Sequence, residues 1–182
     1  MTLKKQNSGT TRAAAGDSGE GSGAALDRWD IALLHELQQD ARLSNAELAA
    51  RIGLSAAPTW RRVKRLEAQG YITGYRAELD RRKIGLGVLA FVRVDADRNT
   101  GVATRELEDA IRRLPEVTSC HYISGTGTFE LQVMATDLEA FSRFSMDTLL
   151  NLPNVKDIHT SFSLGEVKAG GALPLSHLQR RT

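Results

Sequence analysis

The sequence has little sulfur, few aromatic side chains and no long apolar run. Its 182 residues include one cysteine, Cys120, so no disulfide can form within the chain. No stretch approaches the roughly 18 to 20 apolar residues of a membrane span, and residues 1–23 lack the apolar run of a secretion signal. We therefore expect a cytoplasmic protein without membrane contact, and we exclude the small disulfide-stabilised class.

Basic and acidic residues are concentrated in different parts of the chain. The net charge is only +2. Residues 55–83, however, carry eight basic against three acidic side chains, a local charge of +5. Residues 84–168 carry eight basic against twelve acidic side chains, a local charge of −4. The first region suits a polyanion such as double-stranded DNA, and the second does not.

Helical signals begin after a tail rich in Gly, Ser, Thr and Ala, residues 1–25, which we predict to be disordered. Apolar residues at helical spacing predict a first helix to about residue 40, begun by Asp27 or Asp30. Ser44 and Glu47 form a capping-box pattern for a second helix. A tight turn at Gly53 separates it from a third helix that Ser55 can cap. Residues 26–76 are thus predicted to be a winged-type helix-turn-helix domain.

The second half predicts the order β-α-β-β-α-β. The strands lie at about 88–94, 117–123, 129–135 and 155–164, and the helices at 104–114 and 138–150. This order is typical of a ferredoxin-like domain, here residues 87–170, preceded by a hinge at 77–86 and followed by a tail at 171–182. Helices can cover one face of the sheet. Because little chain remains for the other face, we predict a homodimer that pairs sheet to sheet.

The third predicted helix carries the candidate DNA contacts on its outer face. Arg61 is the preferred base or phosphate contact, whereas Arg62 and Arg65 could instead pair with acids of the first helix, such as Asp30. Trp60 could pack against DNA or shield a domain contact, and the cluster of Arg76 and residues 81–83 could follow phosphates or be a solvated linker. The full predicted set is Ser44, Ser55, Ala56, Ala57, Thr59, Trp60, Arg61, Arg62, Lys64, Arg65 and Arg76.

Catalytic and metal-binding signals are weak. Cys120 and His121 are neighbours on a predicted strand, so their side chains point to opposite faces and cannot form a thiolate-imidazole pair. His121 and His159 could share a sheet face, but no further ligand joins them at metal-binding spacing. We therefore predict no enzyme, no metal and no cofactor.

Several runs resemble the leucine-responsive and asparagine regulators, the Lrp/AsnC family. They are Leu26-Asp27-Arg28-Trp29-Asp30, Leu37-Gln38-Gln39-Asp40-Ala41-Arg42, Glu47-Leu48-Ala49, Gly53-Leu54-Ser55, Arg61-Arg62-Val63-Lys64-Arg65-Leu66-Glu67 and Tyr71-Ile72-Thr73-Gly74-Tyr75-Arg76-Ala77. The resemblance continues more loosely to about residue 175. It implies a DNA-binding transcription regulator whose ferredoxin-like domain dimerises, assembles further to tetramers or octamers, and binds an amino-acid effector between subunits.

In that family the loop after the second regulatory strand usually has the pattern Gly-Asp-Tyr-Asp-Tyr. The matching run here supplies the candidate effector-binding residues, Gly125, Thr126, Gly127, Thr128 and Phe129. Both acidic positions are threonine, which cannot form an ion pair with an α-ammonium group. A different effector, or none, is therefore one alternative. Another is a metabolic sensor module that acts through protein contacts.

Overall fold

A computed structural model describes residues 25–97, 100–124 and 129–178, which fold as two compact units. The chain passes from the first unit to the second between Tyr75 and Arg76, and returns to the first between Gly171 and Ala172. The predicted disordered tail, apart from Ala25, lies outside the described residues. Within the described ranges, no helix is long and apolar enough to cross a membrane.

The first unit contains three short helices, α1 (Arg28–Gln39), α2 (Asn45–Ile52) and α3 (Ala56–Ala68). The Asp27 side chain accepts hydrogen bonds from the N–H groups of Trp29 and Asp30, and Ser44 caps α2 through its hydroxyl. These caps satisfy N–H groups that have no partner inside the helix. Gly53 ends α2 with φ +71°, a left-handed conformation that favours glycine. The predicted helix-turn-helix is confirmed.

The core of this unit is small. Leu33, Leu48, Ile52, Val63 and Leu66 are buried together where the three helices meet. The returning C-terminal segment joins the unit at Leu173, whose backbone N–H donates to the side-chain oxygen of Gln38 at 2.6 Å and whose carbonyl accepts from the amide nitrogen of Gln38 at 3.4 Å. The unit is therefore built from two separate stretches of chain.

The second unit has a four-stranded antiparallel sheet and two main helices. Its elements are β1 (Val88–Ala96), α4 (Gly101–Arg112), β2 (Val117–Tyr122), β3 (Phe129–Ala135), α5 (Leu138–Asp147), a 3-10 turn (Leu149–Asn151) and β4 (Val155–Phe162). The strands lie in the order β2-β3-β1-β4. This topology confirms the ferredoxin-like prediction.

Three helix boundaries differ from the sequence prediction by two or three residues, and one of them is the end of α4 at Arg112 instead of residue 114. Helix α4 begins at Gly101, one turn before the predicted residue 104, because Thr100 takes the extended N-cap conformation. Helix α5 ends at Asp147 instead of continuing to residue 150, and the chain tightens into the 3-10 turn that buries Leu149. A change from α to 3-10 geometry is common at a helix end.

The two faces of the sheet have different surroundings. Ala90, Val92 and Val94 alternate along β1 as fully buried residues, and they pack with Leu107, Ile111 and Phe141 of the helices. The intervening residues Leu89, Phe91, Arg93 and Asp95 point to the opposite face. We call this second face of the sheet the open face.

Candidate DNA-binding surface and effector region

The outer face of α3 consists of small, aromatic and basic side chains. Ala56 and Ala57 are exposed in its first turn, so nothing bulky blocks close approach there. Trp60 is half exposed, and Arg61 and Lys64 are exposed beside it. The side chain of Arg61 has no ion pair or hydrogen bond to any other described residue. It is thus the freest cation of this face among those described.

Thr59 does not belong to that face, and its inclusion among the predicted DNA contacts is corrected. The residue is fully buried, and its hydroxyl donates a 3.0 Å hydrogen bond to the carbonyl of Ser55, one turn earlier. Helical spacing puts Thr59 on the same side as Val63 and Leu66, which are core residues. Its role is to support the first turn of α3.

Arg62 and Arg65 point toward α1. Nη1 of Arg62 lies 2.7 Å from Oδ2 of Asp27 and 2.8 Å from Oδ1 of Asp30, and Nη2 of Arg65 lies 2.5 Å from Oδ2 of Asp30. The structural alternative considered for these two arginines, pairing with acids of the first helix, is the arrangement observed. The arginines join α1 to α3.

Two pKa values report the Asp27–Arg62 contact. Partial burial acts to raise the pKa of Asp27, but hydrogen bonds from the backbone of Asp30 and from Arg62 outweigh it, so the pKa lies below its usual value. Burial acts to lower the pKa of Arg62, yet the carboxylates of Asp27 and Asp30 raise it above its usual value. Each charge therefore stabilises the other.

Lys64 has a partner on its own helix. Its Nζ lies 2.8 Å from Oε2 of Glu67, and the other oxygen of Glu67 accepts a 3.0 Å hydrogen bond from the hydroxyl of Tyr75. Hydrogen bonds from Lys64 and Tyr75 hold the pKa of Glu67 below its usual value. Because the Lys64 pair is exposed, it contributes little to stability.

The two predicted serine contacts are both exposed at helix starts. The Ser44 hydroxyl accepts from the N–H of Glu47 and donates to its Oε2, while the N–H of Ser44 donates to the same carboxylate at 2.7 Å. These hydrogen bonds from Ser44 lower the pKa of Glu47. Ser55 holds the N-cap position of α3, but its side chain makes no capping hydrogen bond.

The basic residues that follow α3 lie in the second unit. Arg76 is exposed at the beginning of that unit. Arg81 folds back, and its Nη1 donates to the carbonyls of Leu86 and Gly87 at 3.0 and 3.1 Å. Arg82 and Lys83 donate through their backbone N–H groups to Asp80. Arg81 therefore shapes the turn before β1, and the side chains of Arg82 and Lys83 remain exposed or partly exposed.

Most of the predicted effector loop cannot be placed. Gly125, Thr126, Gly127 and Thr128 lie outside the described residues. Phe129 is described, and its ring is almost fully buried in the core of the second unit. The ring packs edge-on against exposed Tyr122, with centroids 5.3 Å apart. Phe129 therefore anchors the beginning of β3 in the core.

A groove of about 410 Å³ runs between α4 and the edge strand β2. Glu108 and Arg112 line one wall as an ion pair of 3.6 Å, and Cys120 and Tyr122 line the other. Burial raises the pKa of the Cys120 thiol, and the nearby charge of Glu108 adds to this. His121 points to the other face of the sheet, as predicted, so the two side chains do not meet.

The open face of the sheet carries a polar row and an apolar groove. The register places His121 beside Glu130, Glu130 beside Arg93, and Arg93 beside His159. The two histidines thus share a face, but three strand spacings, about 14 Å, separate them. Among the described residues no group of three metal-binding side chains occurs.

Beside this polar row, the open face carries an apolar groove of about 600 Å³. Leu89, Phe91 and Met134 line the groove, and the segment 165–170 borders it.

Both units match family models. Residues 26–73 match the winged helix-turn-helix DNA-binding model, and residues 89–173 match the Lrp/AsnC ligand-binding domain. The leucine-responsive regulatory proteins of Klebsiella pneumoniae and Escherichia coli K12 are each 38% identical over 157 residues, which cover 86% of this chain and 96% of theirs. The chain belongs to the Lrp/AsnC family. As a member, it is a DNA-binding transcription regulator with a ligand-binding domain.

Solved structures of Lrp/AsnC regulators have the same fold. A Neisseria meningitidis transcriptional regulator in complex with L-Met is 42% identical, with a TM-score of 0.81 over 85% of this chain and 99% of that one. An AsnC-family regulator from Agrobacterium tumefaciens is 29% identical, with a TM-score of 0.79 over 84% of this chain and 99% of that one. The resemblance stated from sequence motifs is confirmed.

Proposed function

We propose that this regulator binds DNA through the outer face of α3. The observation that carries the proposal is the exposure of the Arg61 side chain, which has no described partner. It lies on the same outer face as half-exposed Trp60 and the small, exposed side chains of Ala56 and Ala57. A recognition helix meets base edges near its N-terminus, where small residues permit close approach. Arg61 and Lys64 supply positive charge. Ser44 and Ser55 of the same unit add contacts to the phosphate backbone. Arg76, the first residue of the second unit, remains a separate predicted phosphate contact.

Footprinting tests this proposal on the DNA upstream of the chain's own gene. We expect protection in two patches about one helical turn, roughly 34 Å, apart, because a dimer presents two recognition helices to successive major grooves. Arg61→Ala should weaken protection, whereas the control Arg143→Ala, which removes an exposed arginine from α5, should not. Equal protection by wild type and Arg61→Ala would contradict the proposed interface.

The open face of the sheet is the proposed dimer contact. Phe91 is more than one third exposed there, and it lines the apolar groove with Leu89 and Met134. A sheet face that buries such side chains against a second copy gains hydrophobic stabilisation. Dimers of this kind would assemble further into tetramers or octamers, as the family resemblance implies.

Sedimentation velocity measures this assembly directly. Phe91→Arg would place two opposed cations within the contact and should shift the protein toward monomer. Val102→Arg, which introduces the same charge at an exposed apolar residue of α4, is the matched control and should leave the dimer intact. A Phe91→Arg protein that sediments as the wild type does would show that the dimer forms elsewhere.

The proposed effector is an amino acid bound in the ligand-binding domain. The Neisseria relative bound to L-Met supports this assignment. Thr126 and Thr128 cannot pair with an α-ammonium group by charge, so binding would depend on hydrogen bonds and apolar contact with the effector side chain. A thermal-shift assay tests this effector proposal with a panel of amino acids that includes L-Met and, as a stereochemical control, D-Met.

A ligand at 100-fold its dissociation constant stabilises the folded protein by about 2.7 kcal/mol. We expect at least one apolar L-amino acid to raise the melting temperature, with its D-enantiomer ineffective. If no L-amino acid in the panel shifts the transition, the protein does not use an amino-acid effector. The DNA-binding proposal does not depend on that result.

A further inference from the structure

A buried carboxylate links α3, the proposed recognition helix, to α1. Asp30 lies in the first turn of α1 and is fully buried. Its oxygens accept from the backbone N–H of Asp27 at 3.1 Å, from Arg62 at 2.8 Å and from Arg65 at 2.5 Å. A carboxylate in such a place is costly unless cations and N–H groups surround it, so its three partners are held firmly.

Arg62 and Arg65 lie close to Arg61 on α3, so their ion pairs with Asp30 affect which cations can reach DNA. On a helix with 100° per residue, Arg65 and Arg62 lie about 40° and 100° around from Arg61. All three arginines line one cleft of about 270 Å³ together with Pro58. Without the carboxylate, Arg65 loses its one described carboxylate partner and can turn outward beside Arg61, whereas Arg62 keeps its 2.7 Å pair with Asp27. Phosphates would attract the released Arg65 regardless of base sequence.

We propose that Asp30 is a positioning residue for DNA recognition that keeps Arg65 and, together with Asp27, Arg62 away from the phosphates. Arg61 and Lys64 remain the cations of α3 that face outward. The helix therefore makes fewer phosphate contacts, which are the same for every DNA sequence. Asp30 thereby raises the ratio of operator binding to non-specific binding. The inference rests on the proposed α3 interface.

The decisive variant is Asp30→Asn, which keeps the shape of the side chain and removes its charge. Fluorescence anisotropy would measure binding to the footprinted operator and to a scrambled duplex of equal length over a range of salt concentrations. Each phosphate contact contributes about 0.9 to the slope of log K against log salt. Asp30→Asn releases Arg65, while Arg62 keeps its pair with Asp27, so the slope should steepen by about 0.9 per bound protomer. The operator-to-scrambled ratio should fall.

Glu36→Gln is the matched control. It removes one carboxylate from the same helix and breaks the 2.9 Å ion pair with Arg51 of α2, without touching α3. We expect its slope and its binding ratio to match the wild type. If Asp30→Asn weakens binding to both duplexes by the same factor and leaves the slope unchanged, Asp30 has only a structural role and the proposal is wrong.

If Asp30→Asn does not fold, a triple variant tests the same proposal. Asp30→Asn combined with Arg62→Gln and Arg65→Gln removes the buried charge together with both cations. We expect it to bind with the wild-type slope, because Arg62 and Arg65 do not contact DNA in the wild type. A slope shallower by about 1.8 per protomer would mean that they do, and would overturn the proposal.

Failure of this inference can be distinguished from failure of the proposed interface. If Arg61→Ala leaves DNA affinity unchanged, α3 does not contact DNA through its outer face and the proposed function fails. If Arg61→Ala weakens binding while Asp30→Asn leaves the salt slope unchanged, the interface stands and only the role of Asp30 is rejected.

Discussion

The two units of this regulator are stabilised in different ways. Among the described residues, the second unit has a continuous apolar core of eleven buried residues between its sheet and helices. The corresponding cluster of the first unit has five described residues, and a buried acid with two arginines joins α1 to α3. Directional polar contacts fix the orientation of a helix more narrowly than apolar packing does. The unit that we propose to present α3 to DNA thus depends on charged geometry, and the unit that we propose to pair with a second copy depends on apolar area.

The largest expected effect is in the apolar core of the second unit. Leu131 is fully buried at the centre of β3, so Leu131→Ala should lower the free energy of unfolding of this unit by about 2–5 kcal/mol through lost contacts and a cavity. Urea unfolding, monitored by circular dichroism, measures this change in the free energy of unfolding. Leu138→Ala, at an exposed position of α5, should change it by less than about 0.5 kcal/mol. Equal effects would contradict the assigned core.

Both tryptophans, Trp29 and Trp60, lie in the first unit, so their fluorescence separates the two units in the same experiment. If the units unfold independently, Leu131→Ala should shift the circular dichroism transition and leave the tryptophan transition in place. A common shift in both signals would show that the two units unfold together.

A smaller loss is expected where β1 begins. A Cβ atom on Gly87 would lie 2.8 Å from the backbone carbonyl oxygen of Thr136, which cannot move aside without disturbing β3. Gly87→Ala should therefore destabilise the second unit by about 1–3 kcal/mol, the usual cost of overpacking. Gly170→Ala, where a Cβ would meet nothing within 4 Å, is the control in the same urea titration. A neutral Gly87→Ala would contradict the close approach.

The first unit offers a comparison between two serines at helix starts. Ser44→Ala removes a capping box and should cost about 1 kcal/mol, whereas Ser55→Ala removes a side chain that makes no capping hydrogen bond and should cost less. Tryptophan fluorescence during urea unfolding reports both variants. If Ser55→Ala were the more damaging substitution, the described caps would be wrong.

The smallest expected effect is a dependence on pH. The folded-state pKa of Glu47 is lowered from its ordinary 4.5 by the Ser44 hydrogen bonds. The stability that this carboxylate supplies is present above pH 4.5 and is lost as the pH falls through the lowered value. Glu47→Gln should therefore show a shallower loss of first-unit stability between pH 5 and pH 3 than the wild type. Parallel curves would exclude this contribution.

Local signals in the sequence predicted much of the fold. Asp27, Ser44 and Gly53 marked helix ends because caps depend on neighbouring residues, and alternation along residues 129–135 identified β3. Long-range pairing could not be predicted in the same way. The partners of Arg62 lie 32 and 35 residues away, and sequence alone left ion pairing and DNA contact equally open. The register that puts His121 and His159 at opposite edges depended on strand order, which no local pattern specifies.

The salt dependence of DNA binding tests the central claim most directly, namely that the outer face of α3 meets the polynucleotide. Arg61→Ala should weaken operator binding and reduce the slope of log K against log salt by about 0.9 for each protomer on the DNA. The control Arg143→Ala should follow the wild-type line. An Arg61→Ala protein with the affinity and slope of the wild type would contradict the account.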